Sequence, residues 1–156
     1  MPQRTVLTPI GPVRLRSENG RLARIRIGDS LEPDEPGDDA LLDAAAAQLA
    51  AYFADESVEF DLPLVLPTSP RGAALRAAIC SIPAGETLTY GALALRAGSS
   101  ARAIGQACAR NPLPIVVPCH RVVASGGLGP YSAGGGRATK DWLLRHEAKE
   151  KLLWEI

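Results

Sequence analysis

Apolar and polar residues alternate through the first thirty positions and recur at three- and four-residue intervals later, which predicts a small sheet followed by helices. Val13-Arg14-Leu15-Arg16 and Arg24-Ile25-Arg26-Ile27 both alternate. Asn19-Gly20 between them readily takes the two positive φ angles of a type I′ turn, so the pair reads as a hairpin with an apolar face and an arginine face left to solvent. Arg4-Thr5-Val6-Leu7-Thr8 reads as a further short strand. Residues 28–39 are acidic and rich in Pro and Gly, the composition of a loop. From Ala40 the period becomes helical, with Leu42, Ala45, Leu49, Tyr52 and Phe53 on one stripe. Val58-Glu59-Phe60 reads as another strand before Pro63 and Pro67 break the pattern.

The second half predicts helices by their caps. Ser69-Pro70 opens a helix that runs to about Cys80, with Leu75 and Ile79 inward. Residues 82–87 form a turn. Thr89 caps a short helix from Tyr90 to Ala97 that Gly98 ends, and Ser99 or Ser100 caps a second from Ala101 to about Arg110. Two short helices joined by a tight Gly-Ser turn read as a helix-turn-helix. The second is rich in small residues (Ala101, Ala103, Gly105, Ala107, Ala109), which lets it lie close to another backbone, while Arg102 and Gln106 share one face at i and i+4.

The 156 residues suit one large domain or two small ones, and the change of pattern divides them at 1–68 and 69–156. No apolar stretch nears the ~18–20 residues of a membrane span, and Met1-Pro2-Gln3-Arg4 leads into a strand pattern without an apolar signal region. The expectation is a soluble, cytoplasmic protein with no membrane partner. Charge sharpens the division: residues 1–69 hold 6 Lys/Arg against 12 Asp/Glu, residues 70–156 hold 11 against 5. The second half can therefore face a polyanion. Three cysteines, Cys80, Cys108 and Cys119, are an odd number and lie 28 and 11 residues apart. With His120 and His146 as the only histidines, they offer neither a disulfide framework nor a zinc-ligand spacing, so no metal and no cofactor is expected.

Pro118-Cys119-His120-Arg121 carries the chemistry. It follows Ile115-Val116-Val117, is approached through Pro112 and Pro114, and leads into Val122-Val123. A cysteine beside a histidine supplies a soft nucleophile and a group to take its proton, and Pro118 stiffens the turn that presents it. Residues 126–136 hold six glycines in eleven positions, with Tyr131 and Ser132 among them. Such a loop is either a mobile linker or a surface that lets backbone approach a flat ligand. It lacks the lysine and hydroxyl of a phosphate loop.

Taken together, Arg102-Ala103-Ile104-Gly105-Gln106-Ala107, Asn111-Pro112, the run from Ile115 through Val123, Gly129-Pro130-Tyr131-Ser132-Ala133-Gly134, and Lys140 followed by Trp142-Leu143-Leu144-Arg145-His146-Glu147 resemble the O6-alkylguanine-DNA alkyltransferases. The likeness spans residues 81–147, with the motifs in the family's order. It implies an α+β protein: a ribonuclease-H-like N-terminal domain with a small antiparallel sheet and a helix, then a mainly helical C-terminal domain with a winged helix-turn-helix. It implies DNA repair, in which Cys119 irreversibly accepts the alkyl group from O6 of guanine, once per molecule, after the base is flipped. His120 would take the thiol proton through a bridging water, Glu147 would orient the imidazole, and Asn111 would bridge the helix-turn-helix to the active-site turn. Arg102 would intercalate from the minor groove, with Tyr90 helping to rotate the 3′ phosphate and Thr89, Ser100, Gln106 and Ser125 also on DNA. Tyr131, Ser132, Gly129 and Val122 would form the base pocket. The implied partner is double-stranded DNA containing O6-alkylguanine, bound by a monomer, with cooperative binding along DNA left open. The chain departs from the family in having no aromatic residue between Arg71 and Ile79 and a slightly shorter helix-turn-helix connection. Two other classes stand beside this reading. One is a non-catalytic relative that binds alkylated DNA and recruits repair factors, which has tryptophan where this chain has Cys119; the other is a cysteine hydrolase that would turn over repeatedly.

Overall fold

The alternating runs fold as an antiparallel meander, β1 (Gln3–Thr8), β2 (Gly11–Glu18) and β3 (Arg21–Ile27), in the order β1-β2-β3. Asn19 and Gly20 take φ of 52° and 75°, both positive as a type I′ turn requires. Helix α1 (Ala40–Phe53) begins where the Asp39 carboxylate accepts from the Leu42 amide, and it packs on all three strands. Its Leu42, Ala45, Leu49 and Tyr52 form one core with Val13, Leu15, Leu22, Ile25 and Ile27. The computed structural model describes residues 2–28, 39–54 and 58–148, so the loop expected at 28–39 lies almost wholly outside the described residues. Contacts divide the chain into two compact units, Met1–Val65 and Leu66–Ile156.

Two expectations for the first unit fail. Arg14 is buried although it lies on the arginine face, because β2 is the central strand and Arg14 is drawn down between its neighbours. Its guanidinium donates to Gln3 Oε1 (2.8 Å) and Thr5 Oγ1 (3.3 Å), so the charge is buried with partners. Val58-Glu59-Phe60 forms no strand. The Gln48 side chain instead satisfies both backbone groups of Asp61, at 2.9 and 3.1 Å, and Phe60 packs on Tyr52 with ring centroids 5.8 Å apart. The strand-like contact comes later, at a parallel bridge between Leu22 and Leu64.

The second unit holds α2 (Pro70–Cys80), β4 (Leu88–Thr89), α3 (Tyr90–Ala97), α4 (Ala101–Ala109), a 3-10 turn at Cys119–Arg121, β5 (Val122–Val123) and α5 (Arg137–Glu147). Ser69, Thr89 and Ser100 cap α2, α3 and α4 by accepting from the third amide along, the pattern that satisfies an otherwise orphaned donor. Gly98 ends α3 in the left-handed conformation (φ 63°), which glycine adopts without strain. β4 and β5 pair in parallel, Leu88 with Val122 and Thr89 with Val123, tying the start of α3 to the segment just beyond Cys119. Among the described residues no helix is long and apolar enough to cross a membrane.

Candidate active site

The segment that delivers Cys119 is a succession of tight turns. The β-branched run Ile115-Val116-Val117 is not extended: Val117 N–H donates to Leu113 O (2.9 Å), and buried Ile115 sits at φ 75°. A β-branched residue there stores strain of order 1–3 kcal/mol, which the surrounding packing must overcome. Cys119 N–H then donates to Val117 O (2.8 Å) across Pro118, whose φ of −82° and ψ of 61° are those of an inverse γ-turn. Proline suits this position because its ring already holds φ there.

Asn111 locks the turn to α4. Its Oδ1 accepts from the Leu113 amide (2.9 Å), and its Nδ2 donates to Val117 O (2.9 Å) and to Cys119 Sγ (3.2 Å). One neutral side chain thus fixes the loop's path and gives the sulfur a hydrogen bond that favours thiolate.

His120 is fully buried, and its Nε2 lies 2.8 Å from Glu147 Oε2. Glu147 is the last residue of α5, yet it too is buried, because Arg121 clamps it with Nε on Oε1 (2.9 Å) and a terminal nitrogen on Oε2 (2.8 Å). The third arm of Arg121 donates to Ile82 O (2.7 Å). Burial pushes the Glu147 carboxyl up, but the hydrogen bonds from His120 and Arg121 more than reverse this and hold it below the usual carboxylate range. The ionised carboxylate only accepts, so His120 carries its proton on Nε2 and leaves Nδ1 as a basic lone pair. Burial, only partly offset by Glu147, lowers the His120 pKa and keeps the ring neutral at rest. Nδ1 is buried without a protein hydrogen-bond partner.

Lysine 140 is the charged group that the sequence did not single out. It is fully buried on α5, and its Nζ donates to Val122 O (2.7 Å) and Pro130 O (3.1 Å) and sits 5.8 Å from the Tyr90 ring centroid. It thereby ties the glycine-rich loop to the strand beyond Cys119. A Cβ on Gly129 (φ 78°) would come within 3.2 Å of the Ala124 amide and 3.5 Å of Lys140 Nζ, so this position requires glycine. The Tyr131 hydroxyl is buried without a hydrogen-bond partner, and burial, with the nearby Cys119 and Glu147, raises its pKa and keeps it a neutral phenol. Burial likewise raises Tyr90, with the two thiols Cys108 and Cys119 adding to the shift.

Cys119 is buried, and its pKa falls below that of an ordinary thiol. The largest cause is a hydrogen bond with the Cys108 side chain, opposed by burial and helped by Asn111 and by the charge of Lys140. Cys108 was legible only as part of the buried stripe of α4, with Ala103 and Ile104. The signal for Lys140 was its spacing from Leu143 and Glu147, which places all three on the inward side of α5.

The structure therefore brings Cys119, His120, Glu147 and Asn111 together through direct hydrogen bonds or adjacency, with Val122, Gly129, Tyr131 and Tyr90 around Lys140. The other predicted residues lie outward. Arg102 and Gln106 are exposed one turn apart on α4, Ser100 and Thr89 cap helices, Ser125 is exposed in the turn between Ala124 and Gly127, and Ser132 is exposed in the glycine-rich loop. An open groove of about 480 Å³, lined by Arg71, Leu75, Gly98 and Ser99 among others, shares no residue with the cysteine centre. No cluster of three or more His, Cys, Asp or Glu able to hold a metal occurs among the described residues.

Two family models match the chain. The ribonuclease-like domain of 6-O-methylguanine DNA methyltransferase matches residues 3–66, and the DNA-binding domain of 6-O-methylguanine DNA methyltransferase matches residues 72–149. A methylated-DNA–protein-cysteine methyltransferase of Mycolicibacterium paratuberculosis is 42% identical over 153 residues, covering 94% of this chain and 92% of its own. The mouse protein of the same name is 43% identical over 111 residues, covering 65% of this chain and 52% of its own. Among solved structures, Mycobacterium tuberculosis OGT in complex with DNA matches with a TM-score of 0.80 and 38% identity, over 94% of this chain and 93% of that one. The O6-methylguanine-DNA methyltransferase of the archaeon Pyrococcus kodakaraensis matches with a TM-score of 0.58 and 26% identity, over 93% and 97%.

Proposed function

The chain belongs to the 6-O-methylguanine DNA methyltransferase family, and from that premise we propose that Cys119 is the cysteine to which it transfers alkyl groups during DNA repair. The observation that carries the reading is the run of contacts from Asn111 to the Cys119 sulfur, and from buried His120 to the Glu147–Arg121 pair. In this reading the thiol proton passes to His120 Nδ1, through water where the two do not touch, and Glu147 stabilises the imidazolium that forms. The thiolate attacks the alkyl carbon in line. A carbon–sulfur bond forms as the carbon–O6 bond breaks, the electron pair leaves on guanine, and a proton restores its N1–H. The thioether does not hydrolyse, so each molecule reacts once.

The substrate is O6-alkylguanine in double-stranded DNA, extruded from the stack at a cost of a few kcal/mol. Arg102 and Gln106, exposed on α4, enter the minor groove, and Ser100, Thr89 and Ser125 lie along the backbone. Tyr131, Ser132, Gly129 and Val122 line the base pocket, where the unpartnered Tyr131 hydroxyl supplies a donor. Residues 1–68 form the N-terminal domain, and residues 69–156 carry DNA binding and chemistry. The protein acts as a monomer in the cytoplasm.

The test is a duplex oligonucleotide carrying one O6-methylguanine, mixed with increasing protein and read by peptide mass spectrometry. The expected result is one methyl per protein, on Cys119 alone. Binding without transfer would point to a non-catalytic role, and product beyond one equivalent would point to a hydrolase; either would overturn the reading.

A further inference from the structure

The Cys119 sulfur has a neighbour with chemistry of its own. Cys108 lies at the C-terminal end of α4 with its side chain turned inward, and its sulfur is hydrogen-bonded to that of Cys119. Two adjacent thiols cannot both ionise without close like-charge repulsion, so one holds the charge and the other the remaining proton. The donors decide which. Cys119 Sγ also receives Asn111 Nδ2 at 3.2 Å, whereas Cys108 receives no such amide. The charge therefore settles on Cys119, and Cys108 keeps its proton and donates it.

We propose that Cys108 is a catalytic residue: its S–H donates to the Cys119 sulfur and holds it as a thiolate ready for attack. The proposal rests on Cys119 being the alkyl acceptor. The direction of both titrations agrees with it, since the shared hydrogen bond is the largest cause of the fall at Cys119 and of the rise at Cys108. Thiolate is the nucleophilic form, so a donor that favours it raises the reactive fraction at neutral pH. Part of that gain is offset because a less basic thiolate attacks more slowly. The donor also orients the sulfur: with Asn111 and Cys108 each taking a lone pair, fewer directions remain open for attack on the substrate carbon.

Other groups reach this pair. Lys140 from α5 lowers both thiols, Tyr90 from α3 and Tyr131 from the glycine-rich loop face both, and His120 follows Cys119 with Glu147 and Arg121 behind it. All remain in place when only Cys108 is changed, so a shift in the Cys119 titration reports on Cys108.

The experiment compares wild type with Cys108→Ala, Cys108→Ser and Cys108→Val. The pH dependence of iodoacetamide alkylation at Cys119, read by peptide mass, is measured beside single-turnover methyl transfer from an O6-methylguanine duplex. Ala and Val should raise the apparent Cys119 pKa by about one unit, making both reactions about tenfold slower at neutral pH. The difference should vanish or reverse above both pKa values, where the more basic thiolate is the better nucleophile. Ser, which keeps a donor, should recover most of the loss. Val fills the space without donating, so wild-type rates in the Val variant would make Cys108 a packing residue and overturn the proposal. An unchanged Cys119 pKa, a loss equal at every pH, or a Ser variant no better than Ala would each overturn it as well. Iodoacetamide needs no DNA, so a shifted pKa in a protein that transfers no methyl would leave the thiol pair standing while refuting the alkyl-transfer reading.

Discussion

The two faces of α4 differ in what they leave unfinished. Inward, Ala103, Ile104 and Cys108 are buried, and the neighbouring groups of the cysteine centre are almost all in hydrogen bonds made by the protein itself. Outward, one turn apart, Arg102 and Gln106 are exposed on the same short helix. A helix built from small residues can serve both sides at close range. The difference teaches where specificity resides: the centre is preorganised for one electron-pair transfer, and the outward face takes up its partners only when DNA arrives. The variants below test that separation.

The largest effect is expected at the sulfur. Cys119→Ala or Cys119→Ser should abolish methyl transfer while duplex affinity, measured by fluorescence anisotropy, changes little. A methyl appearing on Cys80 or Cys108 would move the chemistry elsewhere.

Next comes the carboxylate that holds His120. Glu147→Gln should slow transfer by roughly 10²–10⁴-fold, the usual worth of general-base work. Glu147→Ala should also cost about 3–5 kcal/mol of stability by leaving Arg121 buried without its partner. Acid should act through the same network. The folded-state pKa of Glu147 is held below its ordinary 4.5 and that of His120 below its ordinary 6.5, so in both cases the unfolded chain binds protons first. Stability contributed by these groups is complete above those unfolded values and declines as pH falls through them toward the folded ones. Melting temperature measured against pH should therefore drop first below about 6.5 and more steeply below about 4.5. Glu147→Gln should lack the second fall, and a second fall of unchanged size would place its source in other carboxylates.

At the outward face the loss should depend on substrate. Arg102→Ala should slow repair of a duplex by roughly tenfold or more, since holding open the stack is worth a few kcal/mol. Reaction with free O6-benzylguanine, which needs no flipping, should barely change. Equal losses on both substrates would mean that Arg102 acts on the pocket or the fold.

What could be read from the chain was what short stretches decide alone. Asn19-Gly20, the caps Ser69, Thr89 and Ser100, the stop at Gly98 and the adjacency of Cys119 and His120 each involve residues a few positions apart. What escaped depends on partners far along the chain. Gln48 takes the backbone of Asp61 and leaves Val58-Glu59-Phe60 without a strand, and β1 covers Arg14. Glu147, by itself an ordinary charged residue at a helix end, is buried by Arg121, and the Cys108–Cys119 contact needs α4 to lie against a strained turn at Ile115. The nucleophile's identity was local information; the means of tuning it were tertiary.

The smallest effect separates the two faces most cleanly, at Ser100. Its hydroxyl accepts from the Ala103 amide at 3.1 Å, which satisfies an orphan donor at the start of α4, while the side chain remains exposed where DNA is expected. Ser100→Ala should remove the cap and cost about 1 kcal/mol of stability, seen as a lower melting temperature. Aspartate caps as well as serine and suits the helix dipole, so Ser100→Asp should restore that stability. Its negative charge would also stand toward the phosphates, so the aspartate variant should bind duplex DNA more weakly than the alanine variant despite being the more stable protein. Its iodoacetamide reactivity at Cys119 should match wild type, because the inward face is untouched. If aspartate bound duplex as well as alanine did, Ser100 would be a cap alone and the DNA-facing surface would have to begin further along α4, at Arg102.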